Sequence, residues 1–181
     1  LSNRKLRNIE LNRPSVEEFK NQEKFPMVVV LDNVRSMHNV GSVFRTSDAF
    51  NVEKIALCGI TAKPPHREIT KAAIGAEKSV AWSYHENTAR YLTQLKEEGY
   101  LLLGVEQMEK SISLENFAFD KKNKYALVMG NEVDGIHEEV IPLIDTFLEV
   151  PQFGTKHSLN ISVCTGVVLW HAVSTAKFHK P

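Results

Sequence analysis

Four loops in this chain place polar, glycine-containing sequence directly after apolar runs. The first is Asp32-Asn33-Val34-Arg35-Ser36-Met37-His38-Asn39-Val40-Gly41, followed shortly by Arg45. The second and third are Gly104-Val105-Glu106-Gln107 and Gly130-Asn131-Glu132-Val133-Asp134-Gly135. The fourth is Pro151-Gln152-Phe153-Gly154, which leads to Ser158-Leu159-Asn160. Glycine at such points lets backbone amides and carbonyls approach a ligand closely. Polar side chains stranded between apolar segments need a partner. A tight turn accounts for any one loop, and helix capping accounts for Asn39, Ser158 or Asn160 taken singly. The four together point to a shared site.

Several standard chemistries are absent. No Gly-x-Gly-x-x-Gly follows the first apolar run and no Gly-Lys-Ser/Thr occurs, so neither an ordinary dinucleotide fold nor a P-loop is indicated. None of the 7 histidines pairs with Cys, Asp or a second His at ligand spacing, and no metal is expected. His171 is expected at the side or rim of the last helix, and Cys164 as a small core residue near its start.

The elements that must position these loops alternate. Ser15-Val16-Glu17-Glu18 is a capping box opening a short helix to about Glu23. Met27–Leu31 is a β-branched run of the kind that suits a strand buried on both faces. Further strands are expected at Lys54–Cys58, Ala81–Tyr84, Tyr100–Leu103 (ended by Gly104), Tyr125–Met129 and Thr146–Val150. Helices are expected at Asn39–Phe50, at Ala89–Glu98 with Gly99 closing it, and from Ser158 to about Phe178, with one short helix within residues 59–79. Alternation of this kind predicts an α/β fold with a mainly parallel sheet, and ligands of open parallel sheets gather beyond the carboxyl ends of the strands.

The chain's 181 residues suit one domain, with residues 1–24 as an N-terminal extension ahead of a domain at 25–181. Leu1 is not an initiator Met, so at least one residue is expected to precede it. The apolar runs fall far short of a membrane span, no signal-peptide core opens the chain, and the two cysteines show no scaffold spacing, so a cytoplasmic protein is expected. Net charge is formally zero, which argues against non-specific coating of nucleic acid. Two local basic clusters remain, Arg4, Lys5, Arg7 and Arg13, and Lys63, His66, Arg67 and Lys71; a solvated surface explains either.

Three segments resemble the three motifs of SpoU-type (TrmH-like) methyltransferases of the SPOUT superfamily. They are Asn39-Val40-Gly41 with Arg45; Leu127-Val128-Met129-Gly130-Asn131-Glu132 with Gly135; and Val150-Pro151 through Ser158-Leu159-Asn160-Ile161-Ser162-Val163. The resemblance runs from residue 26 to about 175 and departs from the family pattern at Gln152 and His157. It implies a C-terminal deep trefoil knot, a homodimer, and S-adenosylmethionine bound near Val105, Gly130, Val150, Ser158 and Leu159. It also implies methylation of a ribose 2′-hydroxyl of tRNA or rRNA, with Arg45 catalytic and Asn39, Glu132, Ser158 and Asn160 positioning it and the ribose. A separate N-terminal RNA-binding domain of the kind some relatives carry is not expected, so RNA contact falls to the dimer surface and residues 1–24. Three rival readings are a base-nitrogen methyltransferase, disfavoured by the Asn39/Arg45 pair, a non-catalytic RNA-binding protein, disfavoured by intact Arg45 and Glu132, and a small-molecule methyltransferase or hydrolase. The last helix, with Leu159, Val163, Val167, Trp170 and Val173 at helical spacing, offers more apolar surface than one sheet face needs, which suits a dimer; burial in the monomer core is the alternative.

Overall fold

Phe25–Asp32 forms β1, whose side chains alternate between two cores because successive residues of a strand point to opposite faces. Phe25, Met27, Val29 and Leu31 enter one apolar cluster, while Val28 and Val30 enter the other. This double burial is what the continuous apolar run predicts. The computed structural model describes residues 3–178; residues 1–2 and 179–181, the outer ends of the two expected segments, lie outside the described part.

The elements follow in the order α1 (Val16–Asn21), β1, α2 (Met37–Ala49), β2 (Val52–Cys58), α3 (Arg67–Ala73), α4 (Ala76–Ser79), β3 (Ala81–His85), α5 (Thr88–Glu97), β4 (Tyr100–Val105), β5 (Ile112–Ser113), β6 (Lys124–Met129), β7 (Thr146–Glu149) and α6 (Ile161–Thr175). The strands form one seven-stranded sheet ordered β3-β2-β1-β6-β4-β7-β5, and every pairing is parallel. Helices α2, α3 and α6 share the apolar cluster on one face, and α5 with Tyr91, Leu92 and Leu95 packs the other. The result is the three-layer α/β architecture that alternating strands and helices predict.

Local expectations shift in four places. Gly104 lies inside β4 rather than ending it, because the Phe147 ring fills the space a side chain would take, 2.7 Å from an ideal Cβ. Residues 59–79 hold two short helices, not one. The last helix begins at Ile161, not Ser158, since Asn160 is its cap, and it ends at Thr175. Of its apolar stripe, Val163, Val167 and Trp170 face outward (55%, 38% and 62% exposed), while Ile161, Thr165, Val168, Leu169, Ala172 and Val173 face the core.

Helix α1 carries the expected capping box, with the Ser15 hydroxyl accepting from the Glu18 N–H and the Glu18 carboxylate accepting from the Ser15 N–H. Its one buried residue, Phe19, joins the main core, and the Lys24 ammonium sits 3.3 Å above that ring. Among the described residues no helix is long and apolar enough to cross a membrane.

Candidate functional site

The carboxyl ends of β4, β6 and β7 open into a cleft of about 520 Å³, within the range typical of small-molecule sites. Val105, Gly130, Val150, Ser158 and Leu159 all line it, as do Gln152 and His157. Its walls combine apolar Val105, Met129, Val150 and Ile161 with the carboxylates of Glu106 and Glu149.

The floor of the cleft is the tight loop after β6. Asn131 and Gly135 pair across it, and the Asn131 carboxamide oxygen accepts from the Val133 and Asp134 N–H groups at 2.9 Å each. An asparagine side chain standing in for a backbone acceptor is a common way to hold such a turn. Gly130 has no room for a side chain, because an ideal Cβ would lie 2.1 Å from the Gly135 carbonyl carbon and 2.2 Å from the Ile136 nitrogen. Gly135 adopts φ +69°, the left-handed region that favours glycine.

Beside the cleft three polar residues meet from distant parts of the chain. The Asn39 carboxamide donates to Glu132 at 2.8 Å, and the Asn160 carboxamide donates to the Asn39 oxygen at 3.1 Å. Glu132 also accepts from the Arg35 and Ser36 N–H groups at 3.3 and 3.4 Å. Asn160 accepts from the Ser162 and Val163 N–H groups at the start of α6. The chain of contacts therefore ties the N-termini of α2 and α6 to the loop after β6. Asn39 itself is not the helix cap. Ser36 takes that role, accepting from the Asn39 N–H at 3.2 Å, which leaves the nearly buried Asn39 side chain free for Glu132 and Asn160. Gly41 lets α2 close on α3, since a Cβ there would lie 2.5 Å from the Ile69 carbonyl oxygen.

Burial raises the Glu132 carboxyl, but hydrogen bonds from Asn39 and from the backbone N–H groups of Glu132, Arg35 and Ser36 outweigh it, and the net pKa is lowered. Its ionised form stabilises the fold above the ordinary carboxyl pKa, and that contribution is lost as pH falls through the lowered value.

Arg45 stands apart. It is exposed on α2 and, among the described residues, makes no hydrogen bond or ion pair, so the network that was expected to position it does not reach it within one chain. Ser158 is likewise exposed at the cleft and, among the described residues, makes no hydrogen bond, while Asn160 alone of that pair joins the network.

Sequence reasoning missed one buried anchor, Asp32 at the end of β1. Its carboxylate accepts from the Thr88 hydroxyl at 2.6 Å, the Asn33 carboxamide at 2.9 Å and the His137 N–H at 3.0 Å. A charged residue closing an otherwise apolar run was the available signal. Cys58 lies buried nearby, its thiol pushed up to about 12 by burial and by the Asp32 charge. Cys164 is half-buried at the cleft, raised to about 11 by burial and then by Glu106. His171 is half-buried at the side of α6, its Nε2 2.7 Å from the Phe117 carbonyl oxygen. Of the basic clusters, Arg4 is paired with Glu10, Lys63 lies 3.6 Å over the Tyr84 ring, and His66 caps α3. Among the described residues no group of three or more His, Cys, Asp or Glu is placed to hold a metal ion.

A parallel α/β sheet thus carries a glycine-containing cleft at its strand ends, and beside it an Asn–Glu–Asn network ties three loops together. The model of the SpoU rRNA Methylase family matches residues 26–170, and the chain belongs to that family. It is 31% identical over 150 residues to the 23S rRNA (guanosine-2′-O-)-methyltransferase RlmB of Neisseria meningitidis serogroup B, covering 83% of this chain and 59% of that relative. The chain thus spans about three-fifths of that curated relative's length. Among solved structures, the Aquifex aeolicus TrmH/SpoU tRNA modifying enzyme superposes with a TM-score of 0.80 at 25% identity, covering 90% of this chain and 81% of that one. The AdoMet-bound rRNA methyltransferase from Sinorhizobium meliloti gives 0.77 at 27% identity, covering 84% and 57%.

Proposed function

We propose that this protein transfers a methyl group from S-adenosylmethionine to a ribose 2′-hydroxyl of tRNA or ribosomal RNA. The observation that carries the reading is the cleft itself: residues of the second and third family motifs line it, and the Asn39–Glu132–Asn160 network binds all three motifs together beside it. The relatives agree with it: a 23S rRNA (guanosine-2′-O-)-methyltransferase, a tRNA modifying enzyme and an AdoMet-bound rRNA methyltransferase.

The cleft suits that cofactor. Gly130 brings bare backbone to the cleft, apolar Val105, Met129, Val150 and Ile161 line it, and the acidic residues of the lining, Glu106, Glu132, Asp134 and Glu149, complement a cationic ligand. When bound, S-adenosylmethionine supplies a methyl group on a good leaving group for in-line displacement. The difficulty left to the protein is the nucleophile, because a ribose hydroxyl is a very weak acid. A guanidinium keeps its charge and accepts no proton, so Arg45 acts by gripping the adjoining RNA phosphate and stabilising the developing alkoxide, with the phosphate or a water taking the proton. Asn39, Glu132 and Asn160 hold the loops in register, and Ser158 and Leu159 close on the cofactor. Residues 1–24, with their basic side chains, add RNA affinity.

The order of the sheet, with β7 between β4 and β5 and the chain then returning to α2, is consistent with a C-terminal segment threaded as a trefoil knot. A symmetric dimer brings the outward Val163, Val167 and Trp170 of α6 out of water and places a second copy where unpartnered Arg45 can meet an active site. Light scattering at micromolar concentration is expected to give twice the chain mass; a monomer retaining activity would contradict the dimer. We place the protein in the cytoplasm with its RNA substrates. Methyl label from the cofactor is expected to enter RNA, and label entering only small molecules would overturn the RNA substrate.

A further inference from the structure

The stretch 151–159 forms one wall of the cleft, contributing Gln152, His157, Ser158 and Leu159. It is weakly held. Phe153 at its tip is 98% exposed, and nothing lies within 4 Å of where a Gly154 Cβ would stand. Among the described residues a single hydrogen bond reaches it, from the Gln107 carboxamide to the His157 carbonyl oxygen at 2.7 Å. Gln107 is well placed for this, because its N–H donates to the Glu106 carboxylate at 3.0 Å at the end of β4. The bond links residues 50 apart in sequence and joins the loop just after β4 to the stretch 151–159.

We propose that Gln107 is a positioning residue, a latch that holds residues 151–159 in the shape that closes the cleft and thereby sets cofactor affinity without taking part in methyl transfer. The affinity half of this statement rests on the cleft being the S-adenosylmethionine site. Ordering a free backbone segment costs conformational entropy, so a latch made before the ligand arrives removes part of that cost from binding. The Gln107 side chain is exposed, so its replacement leaves the core packing intact.

The test compares wild type with Gln107→Ala and with Gln107→Glu, which is nearly isosteric but, when ionised, cannot donate to a carbonyl. Lys156 lies inside the stretch, so tryptic cutting at that bond, followed by mass spectrometry, reads its opening directly. Both variants are expected to be cut at Lys156 roughly 2- to 10-fold faster without ligand, the range of one neutral hydrogen bond. S-adenosylhomocysteine is expected to bind Gln107→Ala weaker by a similar factor, and KM for S-adenosylmethionine to rise while kcat at saturation holds. Equal cutting rates in wild type and both variants overturn the latch and leave the cofactor reading intact. Faster cutting with unchanged affinity overturns the link to binding. Failure of wild type to bind S-adenosylhomocysteine overturns the cofactor reading, while the cutting rates still decide the latch.

Discussion

Replacing Arg45 with lysine is expected to lower turnover about 100- to 1,000-fold, the usual cost of removing a preorganised donor at developing charge. The argument turns on geometry rather than charge. Lysine keeps the positive charge but loses the planar fork able to grip a phosphate and a ribose oxygen together. Arg45 is exposed on α2 and, among the described residues, makes no hydrogen bond or ion pair, so its replacement breaks none. Nor does it line the cleft, so S-adenosylhomocysteine measured by calorimetry is expected to bind as in wild type. A lysine variant turning over near the wild-type rate would reduce Arg45 to a surface charge and remove the proposed mechanism.

Gly130→Ala is expected to damage binding and stability together. The added methyl would meet the Gly135 and Ile136 backbone at 2.1 to 2.2 Å, where no flexible side chain can yield. The loop after β6 must then move, and with it the Asn131 turn and the Glu132 carboxylate that receives Asn39. Overpacking of this kind costs about 1–3 kcal/mol, which for a domain of this size lowers Tm by roughly 2–12 °C. Cofactor affinity is expected to fall at least about tenfold, equivalent to about 1.4 kcal/mol of displaced contacts. An alanine variant that melts and binds like wild type would show that the loop has slack the structure does not display.

The strands of this fold were legible because β-branched and aliphatic runs such as Met27–Leu31 and Tyr125–Met129 announce burial on both faces. The two-residue β5 was not, since Ile112-Ser113 has no run to detect and owes its strand geometry to pairing with β7. Gly104 misled for a related reason: its function is to admit the Phe147 ring, a contact made only after the sheet has assembled. The start of α6 was ambiguous because Ser158 and Asn160 are both good caps, and only the bonds from Ser162 and Val163 to Asn160 decide between them. The family resemblance implied Asn39, Glu132 and Asn160 as site residues, yet their contacts span 93 and 121 positions and depend on strand order, which no local pattern encodes. The Gln107–His157 bond lay beyond reach for the same reason.

The central claim is that the accepting atom is a ribose 2′-oxygen. RNA methylated by this protein with labelled S-adenosylmethionine and then digested with alkali tests it most directly. The 2′-hydroxyl is the internal nucleophile of alkaline hydrolysis, so its methylation protects the adjacent phosphodiester. The account predicts label in alkali-resistant dinucleotides; label found only in mononucleotides, as a methylated base, would contradict it.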